Sequence, residues 1–178
     1  MNQSREQTIR SVAILLLCLV SPNSAAEYVF APAGCEYSIT LPGTPELKTS
    51  DAEVAVDGTE AYYDEGDGFF IKAQCSENTI EDTEHQAYAK LSHKIFVETW
   101  NLKPIDFAFS VDRENGTKIS FSGEKILNGE PVVYRRVEFI GRGSVFSVSS
   151  GMLKGYANSQ TVEKLVGSIL ANRISSDV

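Results

Sequence analysis

Between Asp106 and Asp112 the chain alternates strictly: Phe107, Phe109 and Val111 against Ala108 and Ser110. Period-2 alternation of this kind predicts a strand with one buried face. Three more strands follow, at Lys118–Lys125, Val132–Ile140 and Val145–Ser149, separated by Asn115-Gly116, Asn128-Gly129 and Gly141-Arg142-Gly143. Asn-Gly accepts the positive φ that a two-residue hairpin demands, so the four strands form a meander. Their apolar residues do not keep one parity. Val132, Tyr134 and Ile140 oppose Val133, Val137 and Phe139, which predicts a sheet covered on both faces.

The first half reads as shorter strands. Cys35, Tyr37, Ile39 and Leu41 share one face, with Glu36, Ser38 and Thr40 on the other, and Pro42-Gly43-Thr44-Pro45 ends the run. Glu53–Val56 and Thr59–Tyr63 flank Asp57-Gly58, a hairpin signal. Asp64 to Gly68 is another tight connection, leading into Phe69, Ile71, Ala73 and Cys75 on one face. The period then changes. Thr79–Asp82 and Thr83–Gln86 fit the capping-box pattern, predicting a helix over Thr83–Glu98. Ala87, Tyr88, Leu91 and Ile95 fall within an arc of about 100° and are its expected buried stripe. Asn101 and Pro104 end it. A second helix is expected over Ser159–Arg173, with Val162, Leu165, Val166, Ile169 and Leu170 facing the sheet.

The first 26 residues change the picture. Arg5 and Arg10 precede an apolar run from Val12 to Val20, Pro22 and Asn23 break it, and Ser24-Ala25-Ala26 offers small residues before Glu27. This is the pattern of a cleaved secretory leader, and its run falls short of the roughly 20 residues that span a bilayer. Cys18 follows Leu17 inside that run, which is not the setting of a lipid-attachment cysteine. Residues 27–178 are then one domain, periplasmic or secreted, with no membrane insertion after cleavage. The formal charge of the 178-residue chain is −8. An acidic surface repels nucleic-acid phosphates, so nucleic-acid binding is excluded. Cys35 and Cys75 survive cleavage into an oxidising compartment and are expected to pair. As antiparallel neighbours, the start of one strand would meet the end of the other. Closing about 40 residues stabilises by roughly 4 kcal/mol in the chain-entropy model.

Strands, helix, four-strand meander, helix: this order resembles the fold of the PsbP family. Tyr37-Ser38-Ile39-Thr40-Leu41-Pro42-Gly43-Thr44-Pro45, the meander and Ser168-Ile169-Leu170 carry the resemblance. It implies an α+β fold, an antiparallel sheet of about six or seven strands with helices packed on it. It also implies a non-catalytic binding or assembly factor, and carries no active-site residues with it.

His85 and His93 lie eight apart on the predicted helix, not at the i, i+4 spacing of a helical zinc pair, and are expected at the surface. No G-x-S-x-G surrounds Ser144. Asp64-Glu65-Gly66-Asp67-Gly68 lacks the alternating ligands and distal Glu of a calcium loop. No phosphate-cradling glycine motif occurs, so no cofactor or metal is expected. Arg135 and Arg136 must point to opposite faces of their strand; the one under a helix-covered layer needs a carboxylate partner. The leading expectation is an exported, non-enzymatic factor with a protein partner in the cell envelope. Its candidate contacts are Asp64, Glu65, Asp67, Arg135, Arg136 and Arg142. One alternative is a periplasmic immunity protein or inhibitor using the acidic tips. The other is a small hydrolase using His85 or His93 with a carboxylate from Glu81, from Glu84 or from the meander.

Overall fold

A computed structural model describes residues 27–49, 55–66, 68–112, 116–154 and 170–171. The fold is α+β. Strands β1 (Tyr28–Phe30), β2 (Tyr37–Leu41), β3 (Glu46–Thr49), β4 (Ala55–Asp64) and β5 (Phe69–Glu77) precede a 3₁₀ turn at Asp82–Glu84 and helix α1 (His85–Trp100). Strands β6 (Lys103–Asp112), β7 (Gly116–Leu127), β8 (Glu130–Ile140) and β9 (Ser144–Leu153) form the meander, and β10 (Leu170–Ala171) follows. Seven strands make one antiparallel sheet in the order β3-β4-β5-β9-β8-β7-β6, and β1-β2-β10 make a second. Among the described residues no helix is long and apolar enough to cross a membrane.

The mixed parity of β8 has the anticipated cause: both faces of the large sheet are covered. On one face, Phe69, Ile71, Ala73 and Cys75 of β5 join Phe146, Val148 and Met152 of β9. Against them pack Phe30, Cys35, Tyr37, Ile39 and Leu41 from the small sheet. On the other face, Ile119 and Phe121 of β7 and Val132, Tyr134 and Ile140 of β8 meet Ala89 and Phe96 of α1.

Four expectations are corrected. Asp57-Gly58 is not a hairpin turn: both residues lie inside β4, whose pairing with β5 shifts register between Ala55 and Glu60. An irregular ladder absorbs a glycine that a regular one would not, and β4 finds its other neighbour in β3. Cys35 and Cys75 are joined with Cα atoms 6.2 Å apart, but not across paired strands. Strand β2 pairs with β1 and β10, so the disulfide crosses between the two sheets. Of the second helix, residues 159–169 lie outside the described residues, as does the 1–26 leader. Leu170 and Ala171, expected in that helix, are instead extended and paired with Ser38 and Tyr37, because β2 offers an open edge there.

The fourth correction concerns α1, whose position was anticipated but whose stripe was not. It buries His85, Ala89 and Phe96, while Leu91 and Ile95 are 55% and 53% exposed. The arc richest in aliphatic residues lost because the sheet beneath presents polar groups, Thr117 and Glu138, that need hydrogen-bond partners. The helix stops as expected. Asn101 adopts the left-handed conformation at φ 50°, and Leu102 N–H donates to Val97 O at 2.9 Å, closing the last turn.

Since the disulfide ties one layer to the other, replacing Cys35 and Cys75 with Ser should lower unfolding free energy by about 2–4 kcal/mol. Denaturant titration of the oxidised wild type against the double variant measures this directly. An unchanged midpoint would mean that the two sheets hold together without the bond.

Candidate functional site

The charged centre of the α1-covered face is the pair Arg136 and Glu138 on β8. Residues two apart on a strand share a face, so both look toward α1. Arg136 Nε donates to Glu138 Oε1 at 2.6 Å, and the Glu138 carboxylate is fully buried. The Ser92 hydroxyl lies 3.0 and 3.1 Å from the two carboxylate oxygens, and the Tyr88 hydroxyl bonds to Ser92 and Glu138. A buried carboxylate is tolerable only when paired and hydrogen-bonded. The condition read from the Arg135-Arg136 doublet is therefore met, by Arg136.

The histidines are not surface residues. His85 is 7% exposed, with Nδ1 2.7 Å from the Thr117 hydroxyl oxygen. Its Nε2 is buried without a hydrogen bond, 3.8 Å from Asp82 Oδ1. His93 is half-buried between Phe107 and Phe121, ring centroids 5.1 and 5.5 Å away. Among the described residues neither imidazole is hydrogen-bonded to Glu81, to Glu84 or to a carboxylate of the meander, the partners the hydrolase reading offered. Ser144 is spent elsewhere: its N–H and hydroxyl both donate to Glu36 Oε2, at 3.0 and 3.2 Å. The N–H groups of Arg142 and Gly143 complete this cradle. Glu36 thereby fastens the small sheet to the β8–β9 turn, a role that its place on an alternating strand did not announce. Among the described residues, no cluster of three or more His, Cys, Asp or Glu side chains is placed to hold a metal.

A line of aromatic rings crosses the same face. Trp100 lies 5.3 Å from Tyr134, Tyr134 is 6.2 Å from Phe70, and Phe70 stacks on Tyr62 at 6.0 Å. The line jumps over β9 because Gly151 stands between Tyr134 and Phe70 in the ladder, and a Cβ there would overlap the Phe70 ring. Lys125 caps the line, its ammonium 5.6 Å from the Trp100 ring and 5.0 Å from the Tyr134 ring.

Helix α1 lies over β6, β7 and β8. Tyr88 and Ser92 reach β8, whereas His93 faces Phe107 of β6. At 100° per residue, Ile95 projects about 20° from Tyr88 and Leu91 about 60°. The apolar flank of α1 therefore overhangs the β8 side, toward β9 and β5. There Ser149 and Lys72 lie directly across the ladder from Arg136, and Phe70, Lys72 and Ser149 are only partly buried.

The remaining predicted contacts are scattered. Asp64 and Glu65 are exposed at the β4–β5 hairpin, where Asp64 accepts from the Gly66 N–H and the Tyr62 hydroxyl. Asp67 lies outside the described residues. Arg142 sits at the β8–β9 turn, at the opposite end of the strands. Arg135 faces away from α1. The structure gathers one predicted residue, Arg136, with Tyr88, Ser92 and Glu138, which the sequence reading had not joined to it.

The chain order and the two layers match a known architecture. The solution structure of cyanobacterial PsbP (CyanoP) from Synechocystis sp. PCC 6803 superposes with a TM-score of 0.63, covering 85% of this chain and 95% of that one at 8% identity. The fold is that of PsbP. LpqN of Mycobacterium tuberculosis, described as involved in cell envelope biogenesis, is a more distant likeness. Its TM-score is 0.44 at 13% identity, over 85% of this chain and 84% of that one. No protein-family model matches the chain, and no curated protein matches its sequence. Arg136 and Tyr134 stand on β8, an interior strand paired on both sides.

Two outcomes follow from this geometry. Gly151→Ala should destabilise the protein by about 1–3 kcal/mol, and Phe70→Leu in the same chain should recover part of the loss, as read by thermal melting. The second concerns alkali. Burial, aided by Glu36 and Glu138 respectively, pushes Tyr37 and Tyr88 up to about 12 from the ordinary 10. Their protons are held more tightly in the folded state, so their contribution is complete below pH 10 and is lost as pH rises toward 12. Absorbance at 295 nm should show these two phenols ionising last, with stability falling in that window; all tyrosines titrating together near pH 10 would contradict it.

Proposed function

We propose that this chain is an exported, non-catalytic binding or assembly factor that docks a partner protein beside α1. The observation that carries the reading is the helix flank. Leu91 and Ile95 stand more than half exposed, while their helix buries His85 and turns Ser92 to the Glu138 carboxylate. Exposed apolar surface next to aromatic and cationic side chains is the composition of a protein contact. Export is supported by the leader pattern and by the Cys35–Cys75 bond, which an oxidising compartment preserves. The absence of catalysis is supported by how the titratable groups are used: Glu138 holds Arg136, and His85 holds Thr117.

The test is capture from the native envelope fraction at several salt concentrations, comparing wild type with Leu91→Glu/Ile95→Glu. Both positions face solvent, so stability should change by no more than about 0.5 kcal/mol per site. Wild type should retain a partner that the double variant loses. Equal recovery by both would remove the helix flank from the contact, and recovery of nothing by wild type would overturn the binding reading.

A further inference from the structure

Arg136 is held in an unusual way for a structural ion pair. Of its five N–H donors, Nε is the one engaged among the described residues, through Glu138. Glu138 takes further hydrogen bonds from Ser92 and Tyr88, so the carboxylate is satisfied without the guanidinium's far end. The Arg136 side chain is 28% exposed, and its terminal nitrogens make no hydrogen bond among the described residues. A guanidinium fixed through Nε presents its Nη edge in a set direction, which is the geometry that receives a carboxylate by two parallel bonds. Ser149 and Lys72 share its row of the ladder, and the helical spacing turns Ile95 and Leu91 to the same side of α1 as Tyr88.

We infer that Arg136 anchors a carboxylate of the docked partner, carried by an acidic side chain within an extended apolar peptide segment. The inference rests on the binding reading above and names its chemistry. Charge complementarity selects the acidic class: Arg136 has its hydrogen-bonding edge open among the described residues, and its buried counter-ion Glu138 is occupied behind it by Ser92 and Tyr88. The apolar helix flank selects a segment with aliphatic residues on either side of the acid. Lys72 lies in the same row of the ladder, where Glu60 neutralises it.

The probe is the blocked peptide acetyl-Leu-Glu-Leu-Glu-Leu-amide, titrated into the full exported chain and followed by the Arg136 Nε–H resonance and the backbone amides. Shifts should centre on Arg136, Ser149, Leu91 and Ile95. They should weaken at least tenfold when Gln replaces Glu in the peptide, and again in Arg136→Gln. Since Arg136→Gln leaves Glu138 buried without its counter-ion, Arg136→Gln/Glu138→Gln is the second variant; it keeps the site uncharged and should also lose the acidic peptide. Equal binding of the Glu and Gln peptides overturns the inference, as does undiminished binding by the neutral double variant. So does failure of the acidic peptide to bind at all, or binding of phosphatidylglycerol vesicles in its place. If a captured partner still depends on Leu91 and Ile95 in any of those cases, the binding factor stands and only its acidic recognition falls.

Discussion

A seven-stranded sheet with apolar side chains on both faces must be covered twice, and this requirement organises the molecule. An uncovered face would leave Ile71 and Phe146, or Ile119 and Phe121, in water. Burial of each such side chain is worth about 1.5–3 kcal/mol. One cover is the small sheet β1-β2-β10, secured by the Cys35–Cys75 bond and by the Glu36 carboxylate in its cradle of backbone N–H groups. The other, among the described residues, is helix α1. Among the described residues α1 lies over β6, β7 and β8 and no helix lies over β9 and β5, and the candidate site lies along that boundary.

The boundary explains why polar groups gather there. Under the centre of a helix the sheet can be wholly apolar, as Phe121 and Phe96 are at 5.0 Å. At the helix edge, water competes, and a charged pair can be half-solvated: Glu138 points inward and Arg136 outward. Replacing such a pair with apolar residues is often neutral for stability, so its presence speaks for a task at the surface. Glu138 makes Arg136 rigid, and rigidity lowers the entropy that binding must overcome.

The PsbP-like layout was legible in the sequence because its signals are local. Asn128-Gly129, with φ angles of 51° and 87°, makes its turn whatever surrounds it. The alternation of Phe107, Phe109 and Val111 survives in an edge strand that is largely exposed. Asn101 and Pro104 stop α1 without help from the rest of the chain. The opposed parities of Val132 and Val133 implied two covers without saying what they were. Where local signals misled, at Asp57-Gly58 and in the stripe of α1, a longer-range partner overrode them: β3 for the former, Thr117 and Glu138 for the latter.

The site was only half legible. Adjacent arginines on a strand guarantee that one faces the covered layer and seeks a carboxylate, a purely geometric consequence of period 2. Which arginine, and which carboxylate, depends on register: Arg136 lies opposite Ser149, and Ser149 opposite Lys72, only once β8, β9 and β5 have paired. Likewise Leu91 and Ile95 form a helical stripe by spacing alone, but whether a stripe is buried depends on what the sheet offers it. Local periodicity therefore determined the elements and their turns. Tertiary structure decided which face each element buried, because burial is settled by the hydrogen-bond needs of the opposing surface as much as by the apolar area of the element itself.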